Sequence, residues 1–221
     1  MPNDERISEL LEEKIRSGRE FRDMEMRVAD DDGEEYIVEG YATTFNDEYL
    51  LYSEPGYKVY EKIDRNAFDE CAMDDVIMQY DHEGRVFARI SNRTLTCNPD
   101  DRGLRIRAML GGTEIGRQLY QEIRGGYTNK MSFAFRVEED TTEIHENNET
   151  GDVRILRTIT KISKLYDVSA VSLPANPATT IAARNFGEGV IAEVKAERQR
   201  AAEEAKAIEE RRARLRIQAM C

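Results

Sequence analysis

The chain has 221 residues, of which 40% are hydrophobic and 34% charged, with a formal net charge of −12. This suits one globular domain with appended charged segments, and the negative balance argues against nucleic acid or anionic membrane as partners and for a basic one. The three cysteines, Cys71, Cys97 and Cys221, form no CxxC pair, which leaves a structural zinc site short of ligands and makes a disulfide framework unexpected.

In chain order, the opening MPNDERISELLEEK carries charges where a signal peptide needs an apolar run. No stretch approaches the ~20 apolar residues of a membrane span, so a cytoplasmic protein with reduced thiols is expected. Residues 4–17 read as a short helix, with Ile7, Leu10, Leu11 and Ile15 on one face and Asn3 or Asp4 as cap. EFRDMEMRV then alternates, and with YIVEGYATTF it predicts a hairpin around the Asp-Gly turn of ADDDGEE. Residues 46–62 read as loop, and RNAFDECAM as a short helix burying Ala67, Phe68, Cys71 and Ala72.

VIMQY (76–80) is a brief apolar strand that runs into Asp81-His82-Glu83-Gly84. RVFARISNRTLTCNPD and GLRIRAML predict two more strands joined at Asp101-Arg102-Gly103. Thr113 can cap a helix over 114–124 that ends at Gly125-Gly126. The next stretch, NKMSFAFRV, is a strand with Met131, Phe133, Phe135 and Val137 on one side. EEDTTEIHENNETGD (138–152) reads as an exposed hairpin loop or a disordered excursion. RILRTITKI and KLYDVSAVSLP return to strand texture, and PANP closes the compact part. From about Glu188 the chain is almost all helix formers, with Val194, Ala201, Ile208 and Leu215 seven apart. Arg198 and Arg212 spoil the companion seam, so a solvated helix is expected rather than a stable zipper. Mostly strands with a few helices predict a barrel or a strongly bent sheet.

Three residues could carry chemistry. His82 stands where an apolar strand ends, between two carboxylates, a place where a fold can show a polar group without burying it unpaired. Ser132 faces away from the Met-Phe side of its strand, together with the small Ala134. Asp167 lies in an apolar strand and needs a partner if buried, for which an imidazole N–H is suitable. Such a set offers base, nucleophile and orienting acid, since a serine hydroxyl attacks poorly until a base takes its proton. Each also has a plain structural reading: a strand-end histidine, an outward serine and an edge-strand aspartate that blunts aggregation. The second histidine, His145, falls in the acidic excursion and reads as a solvated surface residue. A metal hydrolase built on Asp81, His82 and Glu83 is a weaker reading, because adjacent residues on an extended chain point to alternate sides.

GYATTFN (40–46), IDRNAF (63–68), VIMQYDHE (76–83), GLRIRAML (103–110), IRGGYTNKMSFAF (123–135) and DVSAVSLPANPAT (167–179) occur in that order. As a set they resemble the prohead maturation proteases of tailed bacteriophages over roughly residues 20–184. The resemblance implies an α+β, mainly-β, partly open barrel wrapped by helices, like the herpesvirus assemblins, with helical termini. It implies a serine endopeptidase without metal or cofactor. Its substrates would be the scaffold, or a scaffold-like part of the major capsid protein, and the chain itself. The work would be done in the host cytoplasm during assembly, inside the prohead. By position the family's histidine falls on His82, its serine on Ser132 and its third member on Asp167. Many relatives have glutamate at the third position, and the herpesvirus enzymes a second histidine. The same parallel puts the oxyanion-binding amides near Ala175 or Asn176. The expected organisation is a helical segment over 1–18, a protease domain over 19–186 and a charged tail over 187–221. The tail could dock on scaffold or capsid protein or support self-association. The rival is a non-catalytic internal scaffold protein that binds capsid subunits through that tail.

Overall fold

The computed structural model describes residues 18–29, 36–147, 149–172 and 177–219. The expected helix over 4–17, the Asp-Gly turn and the PANP turn lie outside the described residues. The chain forms two compact units, Met1–Ala183 and Arg184–Cys221.

The first unit is built on ten strands: β1 (Glu20–Val28), β2 (Ile37–Thr44), β3 (Tyr49–Glu54), β4 (Tyr57–Ile63), β5 (Ile77–Tyr80), β6 (Glu83–Arg89), β7 (Leu95–Pro99), β8 (Gly103–Met109), β9 (Lys130–Glu146) and β10 (Val153–Val171). They form one path, β3-β4-β10-β9-β1-β2-β8-β7, with β5 and β6 attached beside β10. Among the described residues nothing pairs the end strands β3 and β7, so the sheet is not closed. It is strongly curled nonetheless. Ile63, near one end of the path, and Leu95 and Cys97, at the other, belong to a single buried cluster. The bend falls in β1, whose first half pairs with β9 and whose second half, Met26–Val28, pairs with β2. The mainly-β open barrel expected from the sequence is the fold observed.

Helix α1 (Glu114–Arg124) plugs this curl. Thr113 Oγ1 accepts from the Gly116 amide, and the Gly125 amide closes on Gln121 O, as the capping residues foretold. Leu119, Tyr120 and Ile123 enter the main core, where the Tyr120 ring meets Tyr36 edge-on at 5.1 Å.

Strand β10 is the spine of the sheet. One edge pairs antiparallel with β9 along nearly its whole length. The other edge takes β4 in its first half and β5 in its second, both parallel. RILRTITKI and KLYDVSAV are thus one strand, kept continuous through several bulges.

Several expectations are corrected. Residues 49–63 are a hairpin, not a loop, turned at Pro55-Gly56 with Gly56 at φ +79°. In β4 the inward positions are Val59, Glu61 and Ile63, so a glutamate interrupts the apolar alternation and hides the pattern. RNAFDECAM is a series of three-residue turns rather than a helix: Ala67, Asp69 and Cys71 donate to Asp64, Asn66 and Phe68. Ala67 and Phe68 are buried there, but Ala72 is exposed. RVFARISNRTLTCNPD is two strands, β6 and β7, with a turn between them. The acidic stretch after Val137 stays in β9 as far as Glu146 and is laddered against β10, so neither a loop nor disorder describes it.

The second unit consists of most of helix α2 (Pro177–Ala219). The helix begins about ten residues earlier than the composition shift suggested. Ile208 and Leu215 on its apolar stripe are about half exposed, at 47% and 56%. Among the described residues, no helix is long and apolar enough to cross a membrane.

Candidate active site

Ser132 owes its position to the period of β9. Met131, Phe133 and Phe135 enter the main core, with the two phenylalanine rings stacked at 4.6 Å. Ser132 and Ala134 therefore stand on the reverse face. There Ala134 packs with Phe21 of β1 in a small cluster bordered by Tyr166. Across the ladder Ser132 is opposite Ser169 of β10, and Ala134 is opposite Asp167. Serine, aspartate and second serine thus share one face of two adjacent strands.

His82 comes to this face on a tight turn. Tyr80 pairs with Glu83, so Asp81 and His82 are the two loop residues of the β5–β6 hairpin. Both are left-handed, at φ 48° and 59°. Two positive φ values are what the favoured two-residue hairpin turn demands, and glycine or asparagine usually supplies them. A histidine there carries backbone strain on the order of 1–3 kcal/mol. The turn is pinned to the end of β10. The Asp81 amide donates to Ala170 O at 2.9 Å, and the Asp81 carboxylate accepts from the amide and hydroxyl of Ser172, each at 3.0 Å. Asp81 therefore faces Ser172, whereas the ring of the next residue turns to Asp167. The two do not converge on one point, which weakens the metal-hydrolase reading on its own geometry.

The His82 ring is buried, 2% exposed, with Nδ1 2.5 Å from Asp167 Oδ1. A carboxylate only accepts, so Nδ1 carries the hydrogen and Nε2 presents a lone pair. Phe21 meets the imidazole edge-to-face at 4.7 Å. Asp167 is itself buried, and Oδ1 also accepts from Ser169 Oγ at 2.8 Å. Because β10 is paired on both sides, the edge-strand explanation for this aspartate fails.

Ser132 is fully buried, and among the described residues its Oγ makes no hydrogen bond. The structure thus joins His82 to Asp167 directly, and places Ser132 across one strand pair from the residue that holds Asp167. A cavity of about 410 Å³ opens beside the pair, bordered by Arg19, Gln79, His82, Glu83, Tyr166 and Asp167. Arg19 lies 3.9 Å over the Tyr166 ring. Ala175 and Asn176 lie outside the described residues. His145 is exposed near the tip of the β9–β10 hairpin. Cysteine is a poor rival nucleophile here: burial pushes the Cys71 thiol up to about 11 and the Cys97 thiol up to about 12, far from thiolate.

Ser169 was not singled out in the sequence. Its signal was the period-2 spacing from Asp167, which puts a small hydroxyl on the acid's own face. A second polar cluster was also missed. Glu61 is fully buried and takes a bidentate pair from Arg22, at 2.6 and 2.7 Å. Arg157 reaches Glu61 at 2.9 Å and Glu20 at 2.7 and 2.9 Å, and its Nε donates to Asp140 at 2.7 Å. The Tyr49 hydroxyl also donates to Glu61. Burial works against both guanidinium charges, yet the carboxylates around them hold both groups above the ordinary arginine value. Burial likewise opposes the Glu20 charge, but Arg22 and Arg157 outweigh it and draw that carboxyl below its usual value.

No curated protein and no solved structure matched the chain. The family model described as Caudovirus prohead serine protease matches residues 22–191, a span that contains His82, Ser132 and Asp167. With most of its length covered by that match, the chain belongs to the Caudovirus prohead serine protease family, whose role is the proteolytic maturation of the phage prohead.

Proposed function

We propose that His82, Ser132 and Asp167 form the catalytic triad of this protease. The observation that carries the reading is the buried His82–Asp167 hydrogen bond beside a buried serine hydroxyl that makes no hydrogen bond among the described residues. In the first half-reaction, His82 Nε2 takes the Ser132 proton as Oγ bonds to the scissile carbonyl carbon. The imidazolium formed is stabilised by Asp167 through Nδ1–H. It then gives its proton to the departing amine as the C–N bond breaks. Water attacks the acyl-enzyme by the same proton route in reverse. Ser132 is fully buried, so a peptide reaches it only when the side chains above it part, an opening of the kind that gates many enzymes.

The substrate we assign is the scaffold, or the scaffold-like part of the major capsid protein, together with the chain itself, inside the prohead. The family's role in prohead maturation supports this assignment. The charge of −12 favours a basic partner segment. Co-expression with the cognate capsid protein tests the reading. Intact mass should show discrete cuts with the wild-type chain and none with Ser132→Ala. Continued cutting by Ser132→Ala would remove the serine from the mechanism. If neither chain cuts and a fluorophosphonate reagent labels neither, the non-catalytic scaffold protein becomes the better account.

A further inference from the structure

Asp167 carries a hydrogen bond that the proton route above does not use. Its Oδ1 accepts from both His82 Nδ1, at 2.5 Å, and Ser169 Oγ, at 2.8 Å. Ser169 is fully buried and stands directly opposite Ser132 in the β9–β10 ladder. Two serines therefore lie side by side on one face, and their hydroxyls have different employment. That of Ser169 is committed to a carboxylate. That of Ser132 makes no hydrogen bond among the described residues.

We infer that Ser169 is a positioning residue, whose hydroxyl locks the Asp167 carboxylate and through it aims His82 at Ser132. The inference rests on the triad reading above. A carboxylate on a short side chain is free to rotate about its last torsion, which is broad and roughly two-fold. Rotation part-way about that torsion would carry the accepting oxygen out of line and swing the bond that orients the imidazole. Ser169 removes that freedom, because its own position is set by the strand and its donor points at the same oxygen. The hydroxyl also helps satisfy a buried carboxylate that must stabilise the imidazolium each time the ring charges. Because His82 sits on a turn rather than within a strand, the hydrogen bond to Asp167 and the Phe21 ring contact help to aim its ring.

The test is a double-mutant cycle on the full chain, read by the rate of labelling with a fluorophosphonate probe, with the adduct located by mass spectrometry. Ser169→Ala should lower the maximal labelling rate on the order of ten- to hundredfold, as expected for a hydrogen bond to a charged group. Probe affinity should stay within about twofold, and the adduct should remain on Ser132. In the Asp167→Asn background the same substitution should change the rate by less than about twofold, since its effect runs through the acid. Equal slowing in both backgrounds would mean a packing role and overturn the inference. So would no slowing in either, with Ser132 still labelled. An adduct on Ser169 would overturn both this inference and the assignment of Ser132 as nucleophile. Labelling that survives Ser132→Ala at another residue would do the same. Ser169→Ala removes one oxygen and adds no bulk, and its thermal unfolding curve should show that it folds.

Discussion

Strands β9 and β10 each contribute to two buried polar clusters, and the clusters are built on opposite principles. In the ionic cluster, Arg22 and Arg157 are met by Glu20, Glu61 and Asp140, and the Tyr49 hydroxyl adds to Glu61. Every charge there has an opposite charge within hydrogen-bonding reach. In the other cluster a single carboxylate holds an imidazole and a hydroxyl, and among the described residues the neighbouring Ser132 oxygen makes no hydrogen bond. A strained turn delivers the imidazole. The first cluster ties β1, β3, β4, β9 and β10 together. The second spends stability on an unused donor and a left-handed histidine, a cost that packing alone does not explain. Buried polarity by itself therefore does not single out the triad we propose; incomplete pairing together with local strain supports it.

Substitutions can break this contrast, the largest effect first. Ser132→Ala should lower peptide cleavage on the order of a thousandfold or more, with the unfolding temperature nearly unchanged. A large fall in stability with activity intact would reverse the roles of the two clusters. Asp167→Asn should reduce the rate on the order of a hundred- to ten-thousandfold by spoiling the tautomer, measured as kcat on a peptide containing a mapped cut. Glu61→Gln should do the opposite. It should destabilise the fold by about 3–5 kcal/mol, the range for breaking a buried ion pair from one side, and leave kcat per folded molecule within about twofold. Denaturant unfolding followed beside activity separates the two quantities.

The smallest effect sharpens the contrast through pH. The Glu20 carboxyl is held below its ordinary value in the folded chain. Its contribution to stability is therefore complete above the unfolded value and is lost as pH falls through the folded one. Acid unfolding curves of wild type and Glu20→Gln should converge as pH drops below about 4 and separate above it. Curves that run parallel at all pH values would show that the salt bridges to Glu20 contribute little.

Much of the candidate site was legible because it follows from strand period and from the cost of burying charge. NKMSFAFRV told which way Ser132 points, and an aspartate among valines and leucines implied a buried partner. What failed was anything that depends on distant pairing. Tyr49–Ile63 passed for a loop because Glu61 holds an inward position between Val59 and Ile63, and the arginines that make it tolerable inside, Arg22 and Arg157, lie 39 and 96 positions away. The acidic end of β9 looked exposed, and its side chains are exposed; its backbone is nonetheless laddered to β10. Composition reports what side chains face, while a strand is decided by what its amides meet. Ser169 escaped notice because a serine in an apolar strand is ordinary until its neighbour two residues back is known to matter.

The parallel attachment of β5 to β10 sets an order of events during synthesis. His82 must wait for an acid 85 residues downstream, and β10 can dock only after β9 has been made. Under the triad proposed above, a nascent chain holds an unaimed imidazole and a harmless serine until β10 has left the ribosome. Pairing over such sequence distance is also slow compared with hairpin closure. On that reading, chain order alone delays proteolytic competence until β10 has paired with β9 and β5.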